Sequence, residues 1–269
     1  MSSDGRVSRG LFLFLTVAAA VGFTALGVWQ LERRVWKLDL IHSVENRIHG
    51  VAEPVPGRTS WPSINQADDA YRHVYVDGRF LHDRETLVQA VTENGPGFWV
   101  LTPLQTKDGE TILVNRGFVS PERRSRSARA EGLSKGDVRV TGLLRISEPG
   151  GGFLRSNDPD ADRWYSRDVA AIAGARHLPD AAPFFVDADA TPNAGGWPVG
   201  GLTVVAFHNN HLVYAFTWFA LALMAAGAAL RLLRGVWLRE EERVNSRLPG
   251  LIRRQFGKRP AAASRHSRC

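Results

Sequence analysis

The chain has 269 residues, a formal net charge of +7 and a single cysteine, Cys269. One cysteine excludes an intramolecular disulfide, and with it a CxxC copper or haem-thioether motif. The mean hydropathy of -0.18 would suit a soluble protein, but it averages over two concentrated apolar stretches and has to be read locally.

Positions 11–29 hold no charged residue, and neither do positions 212–230. Each run is roughly 28 Å long as a helix, close to the roughly 30 Å of a bilayer core. A soluble core helix rarely stays uncharged on every face for that length, so both runs are expected to be transmembrane helices. The first also resembles a secretory signal, with Ala18, Ala19 and Ala20 as a crude cleavage site. Cleavage there would leave an apolar stretch at the new terminus, and an uncleaved anchor is the better expectation.

Charge then suggests orientation. Residues 231–269 contain ten Arg, one Lys and three Glu, a net of +8, while charges between the two runs nearly balance. By the positive-inside rule, residues 1–10 and 232–269 are expected in the cytoplasm. Residues 11–30 and 211–231 then span the membrane, and residues 31–210 form a periplasmic domain. Arg33, Arg34 and Lys37 oppose this orientation but are outvoted by the tail. The pI near 10.1 invites a nucleic-acid reading. Basic residues directly after a span are already explained by topology and contact with anionic membrane lipid, so no nucleic-acid partner is expected.

From Gln30 to Ile48 the helical rhythm continues, with Trp29 and Trp36 on one face at headgroup level. A loop rich in Pro and Gly follows over 53–62. Strands are expected at 71–80, with Val74, Val76 and Phe80 on one side, and at 86–91. Two more, at 98–105 and 111–114, flank Lys107-Asp108-Gly109, where Asp-Gly signals a tight hairpin. Arg123 to Arg129 reads as a solvated loop. A strand at 138–146 precedes a helix at 164–173, with Ser166 as its N-cap and Asp168 in its first turn. Strands at 183–186 and 202–207 complete about seven. No βαβ spacing appears. The fold class expected is a membrane protein whose two transmembrane helices flank an extracytoplasmic α+β domain. That domain is mainly antiparallel β, an open sheet or a partly closed barrel.

No GxSxG, HExxH or Walker loop is present, and His and Cys do not cluster at metal spacing. Asp158, Asp160 and Asp162 alternate as in a calcium loop but lack its Gly and terminal Glu, and read as a solvated turn. The exception is His208-Asn209-Asn210-His211, just before the second span. A histidine at that depth is costly unless it pairs or binds something. His208 and His211 share a helical face, extended from His211 by Ala215 and Trp218. Three roles suit them: an axial ligand to haem iron, a copper ligand, or a helix cap touching lipid headgroups. Small residues four apart, Ala18 and Gly22 in the first run and Ala222 and Ala226 in the second, would let the helices pack closely.

Three stretches carry a resemblance. They are Leu26-Gly27-Val28-Trp29-Gln30-Leu31 with Arg33, Trp36 and Lys37; Leu113-Val114-Asn115-Arg116-Gly117-Phe118-Val119 with Pro121; and Asn210-His211-Leu212 with Tyr214-Ala215 and Thr217-Trp218-Phe219. Together with the two-anchor layout they resemble the surfeit locus protein one family of cytochrome c oxidase assembly factors. The resemblance implies a non-enzymatic role in handling haem a and inserting it into oxidase subunit one. The partners implied are subunit one and haem a synthase or other assembly factors, in a bacterial inner membrane with both termini cytoplasmic. It carries the iron ligand onto His211, with His208 outside the signature, and places Arg33 and Trp29 in the opening motif. Arg33 and Arg34 would suit haem propionates. Asn115, Arg116 and Gly117 read as a structural motif, Gly117 taking an unusual backbone angle. Rival readings are a structural chaperone holding subunit one without haem, and a haem-modifying enzyme, which the lack of an acid-base or metal cluster disfavours.

Overall fold

Both uncharged runs fall inside long helices of the computed structural model, which describes residues 4–152, 154–205, 207 and 209–247. Helix α1 spans Asp4–His49 and helix α3 spans His211–Arg247, while a short α2, Val169–Ala175, belongs to the domain between them. Both long helices have the length and composition to cross a membrane, yet only 6% of the apolar window in α1 and 17% of that in α3 is buried. A core helix of a soluble protein would be mostly buried, so these surfaces call for an apolar solvent. The protein is a membrane protein in which two spanning helices flank a β domain.

The chain divides into two units, residues 1–37 with 208–269, and residues 38–207. α1 runs unbroken past its apolar stretch, as the rhythm of 30–48 predicts. Its last turns belong to the second unit, where Val44 is buried and Arg47 donates from Nη1 to the Ala70 carbonyl at 3.2 Å.

Seven strands are seen among the described residues: β1 Glu53–Pro54, β2 His73–Phe80, β3 Thr86–Thr92, β4 Gly95–Gln105, β5 Thr111–Val119, β6 Asp137–Ile146 and β7 Ala181–Ala188. Their order is β1-β2-β6-β7-β5-β4-β3, and β2 pairs again with β4, Phe80 opposite Leu104. Strands β2, β6, β7, β5 and β4 therefore close into a small barrel. Its ladders are antiparallel except for the β5–β7 pair, whose parallel register is reached through β6 and α2. The Asp-Gly turn lies as expected between β4 and β5, with Gly109 at φ 83° and its N–H donating to the Thr106 carbonyl.

Side-chain alternation divides the core in two. Val74, Val76 and Phe80 point inward with Ile112, Val114 and Phe184 and fill the barrel. Leu113 and Phe185 point outward and pack with Trp164, Val169 and Ile172 beneath α2. Both faces of β5 are thus covered, and every one of its nine residues is buried. A strand covered on both sides tends to read as a continuous apolar run, but Asn115, Arg116 and Gly117 interrupt it here, which is why the apolar pattern marks only 111–114 of a strand that continues to Val119.

Three local expectations are corrected. The helix starts at Val169, not 164: Asp168 is its N-cap, accepting from the Ala171 N–H at 3.1 Å, and Ser166 instead accepts from the Gly151 N–H at 3.0 Å. Residues 164–167 stay outside the helix because the Trp164 carbonyl takes the N–H of Gln89 on β3. No strand occupies 202–207 among its described residues; Val204 is exposed, and the two-residue β1 is the seventh strand instead. Finally, 123–129 is not wholly solvated, since the Arg129 side chain is fully buried against Glu85.

Gly117 sits at φ 124°, and a Cβ there would lie 2.1 Å from the Val199 carbonyl oxygen, a backbone atom with little room to retreat. Gly117→Ala is expected to destabilise the domain by about 3 kcal/mol. Thermal unfolding checks this, and an unchanged midpoint would count against the close approach of 117 and 199.

Candidate functional site

In the helical unit, α1 and α3 meet through small residues. A Cβ on Gly27 would lie 2.6 Å from the Phe219 ring, and Ala215, Ala222 and Ala229, each seven residues from the next, are buried on α3. Ala18 and Gly22, expected in the seam, are exposed, with nothing within 4 Å of a Cβ at Gly22; Ala226 is half-buried. The seam runs instead through Gly27, and the close approach there sets two side-chain pairs. Phe23 stacks on Trp218 with ring centres 5.7 Å apart, and His211 Nδ1 lies 2.7 Å from Gln30 Oε1.

The second pair defines the chemistry of His211. An amide oxygen accepts, so Nδ1 is the donor of this bond, and in the neutral ring the lone pair is then on Nε2. Among the described residues Gln30 alone hydrogen-bonds the imidazole. A histidine whose second nitrogen donates to a fixed acceptor is the arrangement by which proteins orient a ligating imidazole. The Arg33 guanidinium lies 3.9 Å from the centre of the Trp36 ring, a cation–π contact that restrains it. Trp29 and Trp36 are half-exposed. The structure therefore brings His211 together with Gln30, and Trp218 with Phe23. It records Arg33 with Trp36 and no contact of Trp29 with the others. His208 lies outside the described residues.

Asn115, Arg116 and Gly117 lie in the β domain, on β5, and serve two different clusters. Asn115 faces outward and donates from Nδ2 to Asp187 Oδ1 at 2.8 Å. The same buried carboxylate accepts from Arg145 at 2.9 Å, Arg167 at 3.0 Å and Thr203 at 3.0 Å, and Glu148 accepts from Arg145 Nη2 at 3.2 Å and from Arg167 Nη2 at 2.6 Å. Burial opposes the charge of Arg167, but Asp187 and Glu148 outweigh it and hold the guanidinium above its ordinary pKa. This cluster has two cations and two anions.

Arg116 faces inward. Its Nη2 donates to Asn193 Oδ1 at 2.9 Å and to the Gly132 carbonyl, while Nη1 is buried without a partner. The nearby carboxylate of Glu85 is already in a two-bond ion pair with Arg129. Burial and the neighbouring Arg129 charge pull Arg116 down to about 10. Burial, reinforced by Arg116, also lowers the pKa of His82, whose Nε2 lies 3.1 Å from the Ser134 carbonyl.

Sequence reading missed Gln30 as a partner of His211, although it stands inside the quoted opening motif. It also missed Asp187, and there the signal was available: an acid inside Phe184-Phe185-Val186-Asp187 has to be paired or it could not be buried.

Residues 17–223 match a model of the SURF1 family. Surfeit locus protein 1 of Mus musculus is 38% identical over 226 residues, covering 78% of this chain and 71% of the relative. The Homo sapiens protein of the same name is 36% identical over 214 residues, covering 73% and 69%. A SURF1-like protein of Monosiga brevicollis is 36% identical over 249 residues, covering 86% and 88%. These relatives are eukaryotic, as are those from frog, fish and fly, and they overturn the expected bacterial inner membrane with its periplasmic and cytoplasmic labels. Charge flanking a span ranks the two faces of a membrane and does not identify which membrane it is.

Asp187→Asn leaves two largely buried guanidiniums, Arg145 and Arg167, with Glu148 as their carboxylate partner among the described residues. The expected loss of stability is about 3–5 kcal/mol, read from denaturant unfolding; a loss below about 1 kcal/mol would show that Glu148 suffices.

Proposed function

The chain belongs to the SURF1 family, and from that premise we propose that it binds haem a through His211 and assists insertion of the haem into subunit one of cytochrome c oxidase. Members of the family are non-catalytic assembly factors; the role is of the cytochrome c oxidase assembly kind, and the protein is not an enzyme. The haem assignment, subunit one, and haem a synthase or other assembly factors as partners are the finer reading.

One observation carries it: the Gln30–His211 bond, which engages Nδ1 and leaves Nε2 as the nitrogen available to a ligand in the neutral ring. Among the described residues no three His, Cys, Asp or Glu side chains gather around a common point. A lone imidazole is poor at holding a bare ion, yet suits an iron whose equatorial ligands come with the macrocycle. Bound haem would supply the iron and the redox-active ring, and this chain's own residues would hold and shield it. Phe23 and Trp218 offer a flat apolar wall, and Arg33, restrained over Trp36, offers a cation for a propionate.

A structural chaperone without haem is the second reading, and the same bond favours it in one respect: a histidine satisfied by Gln30 also clamps α1 to α3. Protein purified from a membrane that makes haem a distinguishes them by its optical spectrum. His211→Ala is expected to abolish or shift the Soret band with protein level nearly unchanged, and His208→Ala to have the smaller effect. A clamp alone would lower the amount of protein instead, and normal pigment in His211→Ala would remove the assignment.

We also propose that residues 31–210 lie on one face of the membrane, with residues 1–10 and 232–269 on the other. In sealed vesicles, Cys269 and a cysteine placed at the exposed Val91 of a Cys269→Ser protein should react with an impermeant maleimide from opposite sides. Labelling of both from one side would refute two spans.

A further inference from the structure

We propose that one end of the barrel interior is a binding site for a small aliphatic carboxylate, received by Arg116. A pocket of about 220 Å³ opens there, lined by Phe80, Val114, Val138, Val140, Arg116 and Asp189 among others. Four of these are apolar, and Phe80 and Val114 belong to the inward face that fills the barrel. Arg116 continues that face two residues beyond Val114.

The charge balance points to an anion. Arg116, 2% exposed, makes no ion pair among the described residues, and its Nη1 has no hydrogen-bond partner. The acid that acts on its charge, Glu85, is held by Arg129, whose side chain is fully buried. Two buried guanidiniums thus share one carboxylate, a surplus of one positive charge, while Asp189 lines the pocket half-buried and forms no ion pair with Arg116. The Asp187 cluster on the outer face of the same strand is balanced, so the imbalance is particular to this end of the barrel. An unmatched buried cation is among the costliest features a fold can carry, and burial pulling Arg116 down to about 10 reports that cost. His82 Nδ1, a second buried nitrogen without a partner, lies in the same charge cluster.

The surplus also selects the ligand. A monoanion offsets it, whereas a dianion such as phosphate would exceed it and meet about twice the repulsion from Asp189, whose Oδ1 accepts from the Thr191 N–H at 2.9 Å. Arg139, also in the lining, is occupied by Asp77 through two bonds. With Nη2 committed to Asn193 and Gly132, Nη1 is the donor left for one oxygen of a carboxylate in a charge-assisted hydrogen bond, and the valines and Phe80 suit a short alkyl body. The volume is below the roughly 300 Å³ at which pockets begin to hold drug-sized ligands, so the body is small. The site is independent of the haem assignment at His211.

Butyrate is the probe, with uncharged butyramide and sodium chloride at equal ionic strength as controls, and the full chain in detergent micelles as the receptor. Saturation-transfer NMR and thermal unfolding are read together. Butyrate is expected to bind saturably and raise the unfolding midpoint, while butyramide and chloride do neither. Arg116→Lys, which keeps the charge but loses the Nη1 donor fixed by the bonds at Nη2, should weaken binding by at least about tenfold. Val138→Phe, which narrows the pocket without touching Arg116, should abolish butyrate binding in a protein that still unfolds cooperatively. Should Arg116→Lys fail to fold, Val138→Phe carries the test alone. Equal responses to butyrate and butyramide, or full butyrate binding by Val138→Phe, would overturn the proposal.

Discussion

The carboxylate of Asp187 accepts from side chains on β5, on β6, on the segment leading into α2 and on the segment that follows β7. Those four pieces are far apart in sequence and meet only because β7 inserts between β5 and β6. A parallel neighbour for β5 and an antiparallel one for β6 satisfy the ladder of β7 on both edges, and Asp187 stands where Asn115 and Leu143 are its register partners. Without a fixed anion there, Arg145 and Arg167 would lose a counter-charge and the covering loop its anchor. The rest of the barrel can close around β7 because this end of the strand is held from four sides.

Half-burying two arginines is tolerable there because one buried acid, Asp187, and one half-buried acid, Glu148, accompany them. The inner face of β5 breaks the same rule one residue on, at Arg116. Proteins break it where something outside the chain completes the balance or where strain is part of function. Alternation along β5 is what puts the two cases side by side: Asn115 faces the balanced cluster, Arg116 the unbalanced one, and Gly117 passes so close to Val199 that no side chain fits. Three consecutive residues thus serve three different neighbours. A motif of that kind constrains sequence more tightly than a packing position would.

Much of this was legible in the sequence, and the reasons are physical. The spans declared themselves because a run without charge has one stable environment. Strands β2 to β4 and β6 were visible because one side faces the core and alternates, and the hairpin because Asp-Gly adopts a turn few other pairs can. Legibility failed where polar residues and a glycine interrupt a buried strand, as at 115–117 on β5, or where a backbone donor decided the outcome, as when Gln89 kept Trp164 out of α2. It also failed at 202–207, where the described residues form no strand. Of the site residues, His211 could be singled out from its depth and its motif. Gln30 could not, because its role depends on a helix–helix register that the spacing of small residues had placed elsewhere.

That register is the last link between sequence and chemistry in the helical unit. Gln30 follows Gly27 by three residues and His211 precedes Ala215 by four, so each polar residue lies about one helical turn from a small residue in the seam. Close approach at Gly27 brings the amide within 2.7 Å of the imidazole, a distance that a bulkier seam would lengthen beyond hydrogen bonding. The small residues therefore do more than let two helices touch. They set which ring nitrogen of His211 faces Gln30 and which one faces away from it. The aromatic pair of Phe23 and Trp218, one turn from the same seam residues, is fixed by the same contact. An oriented imidazole and a stacked aromatic pair thus arise from one close approach of α1 and α3.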